Sequence, residues 1–310
     1  MGPLIIALTI VLHLALPLFL LLWVGFGHSQ SRLRWSTDVL LTAALLGMLH
    51  VAGAGWAMLG SWWRTALWAG FVLALLASLR RVRRFGWLPA RWGGWLGWLV
   101  SALGLLSLTS SLVELSTAHA HREQHVDLTF PLHGGTFYVV QGGSSALVNA
   151  HHAVAAQRYA LDIVKTLDWG GRAHGLAPVE RASYAAWEQR VLAPCAGEVL
   201  AVRDDLDDLP LGHSDLSNAA GNHVVLHCTG VTILLAHLRR GSVTVRAGTV
   251  VVGGQQLAAI GNSGNTTEPH LHMHAVRGRQ DAFETVAWSG RAVPMHFAGR
   301  FLVRNDVVHQ

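Results

Sequence analysis

Glu268 to Ala275 reads EPHLHMHA, with histidines at 270, 272 and 274. Side chains of a strand alternate between its two faces, so in a strand these three imidazoles share one face. Three imidazoles on one face look like metal chemistry. A catalytic zinc takes three protein ligands from His, Asp or Glu and keeps a position for water. His-x-His supplies two imidazoles at most on one side of an ion, so a carboxylate and further histidines must come from elsewhere. Two stretches offer them: NAHHAVAAQRYALDIV (Asn149 to Val164), with His151, His152 and Asp162, and LLAHL (Leu234 to Leu238), with His237.

Outward from this stretch, the segment from Cys195 onward is built of short Val/Ile/Leu runs broken by glycine: GEVLAV, NHVVLHC, VTILLAHL, SVTV and QQLAAIG. Runs of this length separated by turn residues read as strands. The reading is an antiparallel β domain with long loops and a short helix around Glu180–Gln189. The loop RDDLDDLPLGHSDLSNAAGN (Arg203 to Asn222) has aspartates that could hold a cation, but their spacing fits no ion-binding loop. It reads as a solvated loop.

The first 115 residues are of another kind. The chain has 310 residues, 51% of them hydrophobic and 13% charged, and ten of its thirteen tryptophans lie before residue 100. A bilayer core needs about 20 apolar residues in a helix. Leu4 to Gly27, Val39 to Gly60, Trp62 to Leu79 and Gly93 to Leu112 are four such spans. Arg32 and Arg34 lie between the first two. Arg80, Arg81, Arg83, Arg84 and Arg91 lie between the last two. Basic loops stay in the cytoplasm, which puts the N-terminus and the C-terminal part outside. The first span is too long for a signal-peptide core. His13 and His50 fall inside spans, where an ionisable group suggests function; the plainer reading is a neutral imidazole in helix packing.

The expected organisation is four transmembrane helices in residues 1–115, a juxtamembrane linker in 116–129 and a β domain in 130–310. The linker carries His119, His121 and His125, either as a metal group or, more plainly, as solvated residues. The net charge of +5 comes mostly from arginines beside the spans, and Lys165 is the only lysine, so no nucleic-acid surface is implied. Cys195 and Cys228 could pair in an oxidising compartment.

GNSGNTTEPHLHMHA (Gly261 to Ala275) resembles the signature of the M23 (LytM/lysostaphin-type) zinc metallopeptidases. QRYALDIV, VLAPCAGEVLAV, GNHVVLH…ILLAHL and VRAGTVVVGGQQLAAIGNSG follow the order of that family's other segments, over roughly residues 130–276. The resemblance implies a LytM/M23-type β fold, a Zn2+ cofactor and hydrolysis of peptide bonds in peptidoglycan stems or crosslinks. It implies Asp162 and His272 as zinc ligands, and His237 and His270 as the pair that polarises the scissile carbonyl and moves protons. Asn262 and Ser263 would shape the cleft, and His274 would be a bystander or a supporting group.

One departure stands out. The family's first motif is His-x-x-x-Asp, and Arg158 stands four residues before Asp162. A guanidinium has no lone pair to give a metal. Either His151, two residues after Asn149, supplies the third ligand, with His152 as second choice, or the site has lost a ligand. The expected function is a multi-pass enzyme of the bacterial inner membrane with its peptidase domain extracytoplasmic. The first alternative is a non-catalytic cell-wall-binding regulator of another hydrolase. The second is a membrane sensor, carrier or scaffold with the β domain as accessory.

Overall fold

The computed structural model describes residues 3–27, 29 and 31–310. The chain divides into two compact units, one ending at Ser116 and the other spanning Thr117–Gln310.

Among its described residues the first unit holds four helices long and apolar enough to cross a membrane: Leu4–Phe26, Arg32–Ala52, Trp63–Val82 and Trp92–Ser116. The second begins seven residues before the expected Val39, because the Ser31 side chain caps it by accepting from the Arg34 amide. It stops at Ala52, with Gly53 as its C-cap, and a separate turn of helix, Trp56–Leu59, follows. The earlier start places Asp38 inside the helix, where it is buried. Its carboxylate accepts from Trp23 Nε1 (3.1 Å) and Ser101 Oγ (2.7 Å), tying three helices together. His13 Nδ1 meets the Thr9 carbonyl, and its Nε2 accepts from the Gly55 amide, so this imidazole is neutral and paired on both sides. At one end of the unit Arg32 donates to the Phe85 carbonyl and Arg81 to the Gly25 and Val24 carbonyls. The Val24 and Gly25 carbonyls belong to the last turn of their helix, whose carbonyls lack internal partners.

The second unit is mainly antiparallel β. Its strands are β1 Val126–Leu128, β2 Thr136–Gln141, β3 Leu161–Thr166, β4 Arg190–Leu192, β5 Gly197–Arg203, β6 Asn222–Cys228, β7 Val231–Leu238, β8 Val250–Val251, β9 Gln256–Ala259, β10 Leu271–Arg277, β11 Ala292–Val293, β12 Met295–Phe297, β13 Arg300–Phe301 and β14 Val307–His309. Nine form one sheet in the order β14-β2-β3-β10-β7-β6-β5-β8, with β11 on β10. β7 and β10 sit at its centre. All eight residues of β7, VTILLAHL, are buried. A strand covered on both faces reads as a continuous apolar run, and this one is. On one face Ile233, Leu235, Leu271, Met273 and Ala275 join the main core with Phe130, Phe137 and Leu257. On the other, Leu234, Ala236 and Val276 pack with Ala156 and Val286. Each fully buried Leu or Ile contributes roughly 1.5–3 kcal/mol, so this sandwich makes the centre of the sheet its firmest part.

Three sequence readings change. SVTV (Ser242 to Val245), read as a strand, forms none, though its Thr244 amide donates to the Leu257 carbonyl. The helix expected over Glu180–Gln189 is a single 3-10 turn, Arg181–Ser183. The amides of Ala185 and Glu188 instead donate to the Arg172 and Ile260 carbonyls, so long-range partners take the groups a helix would need. The stretch 116–129, read as solvated, carries β1, pairs in parallel with β12 and buries Ala118 and Leu128. Val126 and Leu128 flank the exposed Asp127, a strand alternation too short to stand out in the sequence.

Candidate metal centre

Strand pairing sets the centre. β3 and β10 are antiparallel neighbours, and their register puts Asp162 directly opposite His272. The His272 Nδ1 lies 2.8 Å from Asp162 Oδ1. His151 arrives from outside the sheet, on the 3-10 turn Ala150–Ala153. Asn149 caps that turn by accepting from the His151 amide, and its Nδ2 donates to the Gly143 and Ala160 carbonyls. This brings His151 Nε2 to 2.9 Å from Asp162 Oδ2. His151, Asp162 and His272 thus offer three ligand atoms within 4.8 Å of one another. His152 stands outside the group, and Arg158 is exposed.

The hydrogen-bond chain through β10 fixes the tautomers. The Val286 carbonyl can only accept, so His274 Nε2 donates to it (2.8 Å). Burial pushes His274 down to about 3, so it is neutral and its Nδ1 accepts. His272 Nε2 therefore donates to His274 Nδ1 (2.9 Å). Burial also lowers His272, with Asp162 pulling the other way. A neutral His272 that donates from Nε2 has a lone pair on Nδ1. That lone pair faces a carboxylate oxygen at 2.8 Å. Two acceptors at this distance call for a cation between them. Burial works to raise Asp162, but His151 and His270 beside it outweigh burial and hold its carboxyl well below the usual range. Burial disfavours a charged His151 too, yet Asp162 more than offsets it and the net shift is upward. A buried carboxylate, one aimed imidazole lone pair and a third imidazole nitrogen, His151 Nε2, whose proton a cation would displace, make a donor set that suits a divalent zinc.

His237 and His270 stand beside this group. β6 and β7 change register here, with Ala236 and His237 opposing His223 alone. A bulge re-aims a side chain, and His237 adopts φ 63°, a left-handed conformation rare for non-glycine residues. Its Nδ1 donates to the Ser263 carbonyl (2.9 Å), leaving Nε2 available. Burial, with His270 and His272 nearby, holds it well below the ordinary imidazole value. His270 Nδ1 donates to the Glu268 carbonyl (2.8 Å), and its Nε2 lies 3.7 Å from Asp162 Oδ1. The two rings are 4.8 Å apart between centroids.

The turn from Gly261 to Gly264 holds His237. Ser263 Oγ donates to the Leu238 carbonyl and accepts from the Asn222 amide, and Asn262 Nδ2 donates to the Leu209 carbonyl. Gly221 (φ 60°) passes so close that a Cβ there would lie 2.2 Å from the Ser263 carbonyl oxygen.

Sequence reasoning missed two supports. Asp208 Oδ1 accepts from the Asn262 amide at 2.6 Å, so this aspartate of the acidic loop holds the turn. Arg172 is buried and its Nε donates to both oxygens of Glu268 (2.7 and 2.8 Å), fixing the residue whose carbonyl orients His270. Both act across 54 or more residues of chain, a distance over which no local pattern speaks.

Residues 182–283 match Peptidase family M23. The β unit carries an M23 peptidase domain. The matched part of the M23 domain holds His237, His270 and His272, while His151 and Asp162 lie upstream of it and reach the site through β3 and the Asn149-capped turn. No curated protein matches the sequence. Among solved structures, a putative peptidase M23 from Pseudomonas aeruginosa is 19% identical, with 54% of each chain covered and a TM-score of 0.28. A zinc-containing peptidase from Vibrio cholerae is 21% identical over 38% of this chain and 46% of its own, TM-score 0.23. The structure titled as the SpoIIQ–SpoIIIAH pore-forming complex is 16% identical over 43% and 59%, TM-score 0.27. The chain thus spans about half the length of these structures.

Proposed function

We propose that this chain is a membrane-anchored zinc metalloendopeptidase that cleaves extracytoplasmic peptides, the stem or crosslink peptides of peptidoglycan above all. Residues 1–115 are its anchor in the bacterial inner membrane, and residues 130–310 its catalytic domain. The observation that carries the reading is the His272 lone pair held against the Asp162 carboxylate, with His151 closing the group. His151, Asp162 and His272 hold the metal. Zinc at this place supplies Lewis acidity, bringing the pKa of water toward about 7 and polarising a carbonyl.

The other steps belong to the protein's own groups. His237 and His270 are pinned at Nδ1 by carbonyls, so each turns Nε2 to the reacting centre. A neutral His237 Nε2 takes the proton of the attacking water, and the same pair returns it to the leaving amine. The cleft of ≈ 180 Å³ beside them is lined by Ala219, Ala220, Ala236, Ala287 and Trp288. Alanine walls suit small side chains, as found in cell-wall peptides. The Cys195–Cys228 disulfide supports an oxidising compartment, and the arginine-rich loops support the same orientation. Arg158, which motivated a non-catalytic reading, is exposed while His151 stands against Asp162, and this favours the enzyme.

The full chain, purified in detergent, is expected to hold zinc and to release soluble peptides from cell-wall sacculi. A chelator should abolish release, and His270→Ala should abolish it while retaining the metal. Protein that binds sacculi and releases nothing would instead be the regulator; zinc-free protein with every histidine intact would defeat the metal assignment.

A further inference from the structure

A second group of imidazoles lies apart from the centre. His121, His125 and His296 offer ligand nitrogens within 4.8 Å of one another. The first two come from the segment before β1, and His296 from β12. The β1–β12 pairing brings them together, since Asp127 lies opposite His296 in the ladder. His121 Nε2 is 2.8 Å from His296 Nε2, across 175 residues of sequence. The His125 ring stacks on His296 at 3.9 Å between centroids.

Here too the hydrogen bonds set a tautomer. His121 Nδ1 donates to the Glu123 carbonyl (3.0 Å), so a neutral His121 has its lone pair on Nε2, aimed at His296. A histidine whose second nitrogen donates to a backbone carbonyl is the usual arrangement around a metal. His296 brings its own Nε2 to the same point, 2.8 Å from that of His121. His125 is exposed, and one of its ring nitrogens already lies within 4.8 Å of a nitrogen on each of the other two. Asp127 Oδ2 lies 3.7 Å from that nitrogen and adds negative charge. Phe301 and Tyr159 flank His121 at 4.8 and 6.2 Å between ring centroids and fix its plane.

We propose that His121, His125 and His296 form a second site for a divalent transition metal of the zinc type. Three imidazoles suit zinc, copper and nickel in preference to the hard cations magnesium and calcium. The bound ion clamps residues 121–125 onto the β12–β13 hairpin. The site is independent of the peptidase reading and shares no ligand with it.

The test uses the full chain in detergent, stripped with a chelator, reloaded with Zn2+ alone and freed of excess metal, with zinc counted per chain by mass spectrometry. With both sites filled the count is about two for the wild type, and about one for His125→Asn, for His296→Asn and for the double variant His151→Asn/His272→Asn. His125 is exposed, so its variant keeps the fold even where His296→Asn does not. Zinc should also slow tryptic cleavage after Arg122 at least tenfold in the wild type and leave the His125→Asn rate unchanged. A count of one that His125→Asn removes supports this site and defeats the other. A count that neither His125→Asn nor His296→Asn changes overturns the proposal, as does cleavage after Arg122 that zinc does not slow.

Discussion

His274 is the residue whose role the structure changes most. Sequence reasoning left it between bystander and support. It is the link that passes one fixed proton direction from the Val286 carbonyl to His272, and so leaves the His272 lone pair on the side of Asp162. Outer partners of this kind tune affinity, so His274→Ala should weaken zinc binding by about 10–100-fold, read by competition with a chromophoric chelator. His274→Gln can restore an acceptor to His272, and part of the affinity should return with it. His270, His272 and Asp162 were legible because each sits in a short ordered motif. His151 was one of two candidates because the motif position held Arg158, and the selecting feature is the Asn149 side chain, which grips two carbonyls far from it in the chain.

At the scale of elements, the strands were legible and the turns were not. Val/Ile/Leu runs named β5, β6, β7 and β9, most plainly β7, where burial on both faces leaves a continuous apolar pattern; β10 was legible from its alternating histidines. The loops between them carry no period. Their conformations follow from distant partners, as Asp208 with Asn262 and Arg172 with Glu268 show. The contact between Gly221 and the 261–264 turn tests this directly. A Cβ at Gly221 meets the Ser263 carbonyl, and φ 60° disfavours any L side chain. Gly221→Ala is expected to cost more than about 1 kcal/mol of stability and to lower activity further by displacing the carbonyl that orients His237. Thermal unfolding and peptide release measure the two effects separately.

For the β domain as a whole, two conditions set its stability. Cys195 and Cys228 close a loop with a sequence separation of 33. Loop-closure entropy puts the loss on reduction at about 3–4 kcal/mol, measurable by urea unfolding with and without reductant. The second is pH. Burial keeps His237, His274 and His223 neutral in the fold, with folded values below the ordinary 6.5. The unfolded chain then binds more protons than the fold below that pH, so stability falls on acidification. The metal-free protein should hold its midpoint above pH 6.5 and lose it progressively below, with His274 contributing down to about pH 3. The two-part division of the chain was visible in composition alone; the start of the second helix was not, because Asp38 reads as a loop residue until Trp23 and Ser101 are seen to satisfy it.

The ladder between β3 and β10 carries one more consequence. Asp162 and His272 face each other across paired strands, so their spacing is inherited from the backbone ladder. His151 rides on a 3-10 turn outside the sheet, capped by Asn149. A centre built this way has two fixed jaws and one interchangeable finger. The same division tells an engineer where to graft a different third group when another metal is wanted.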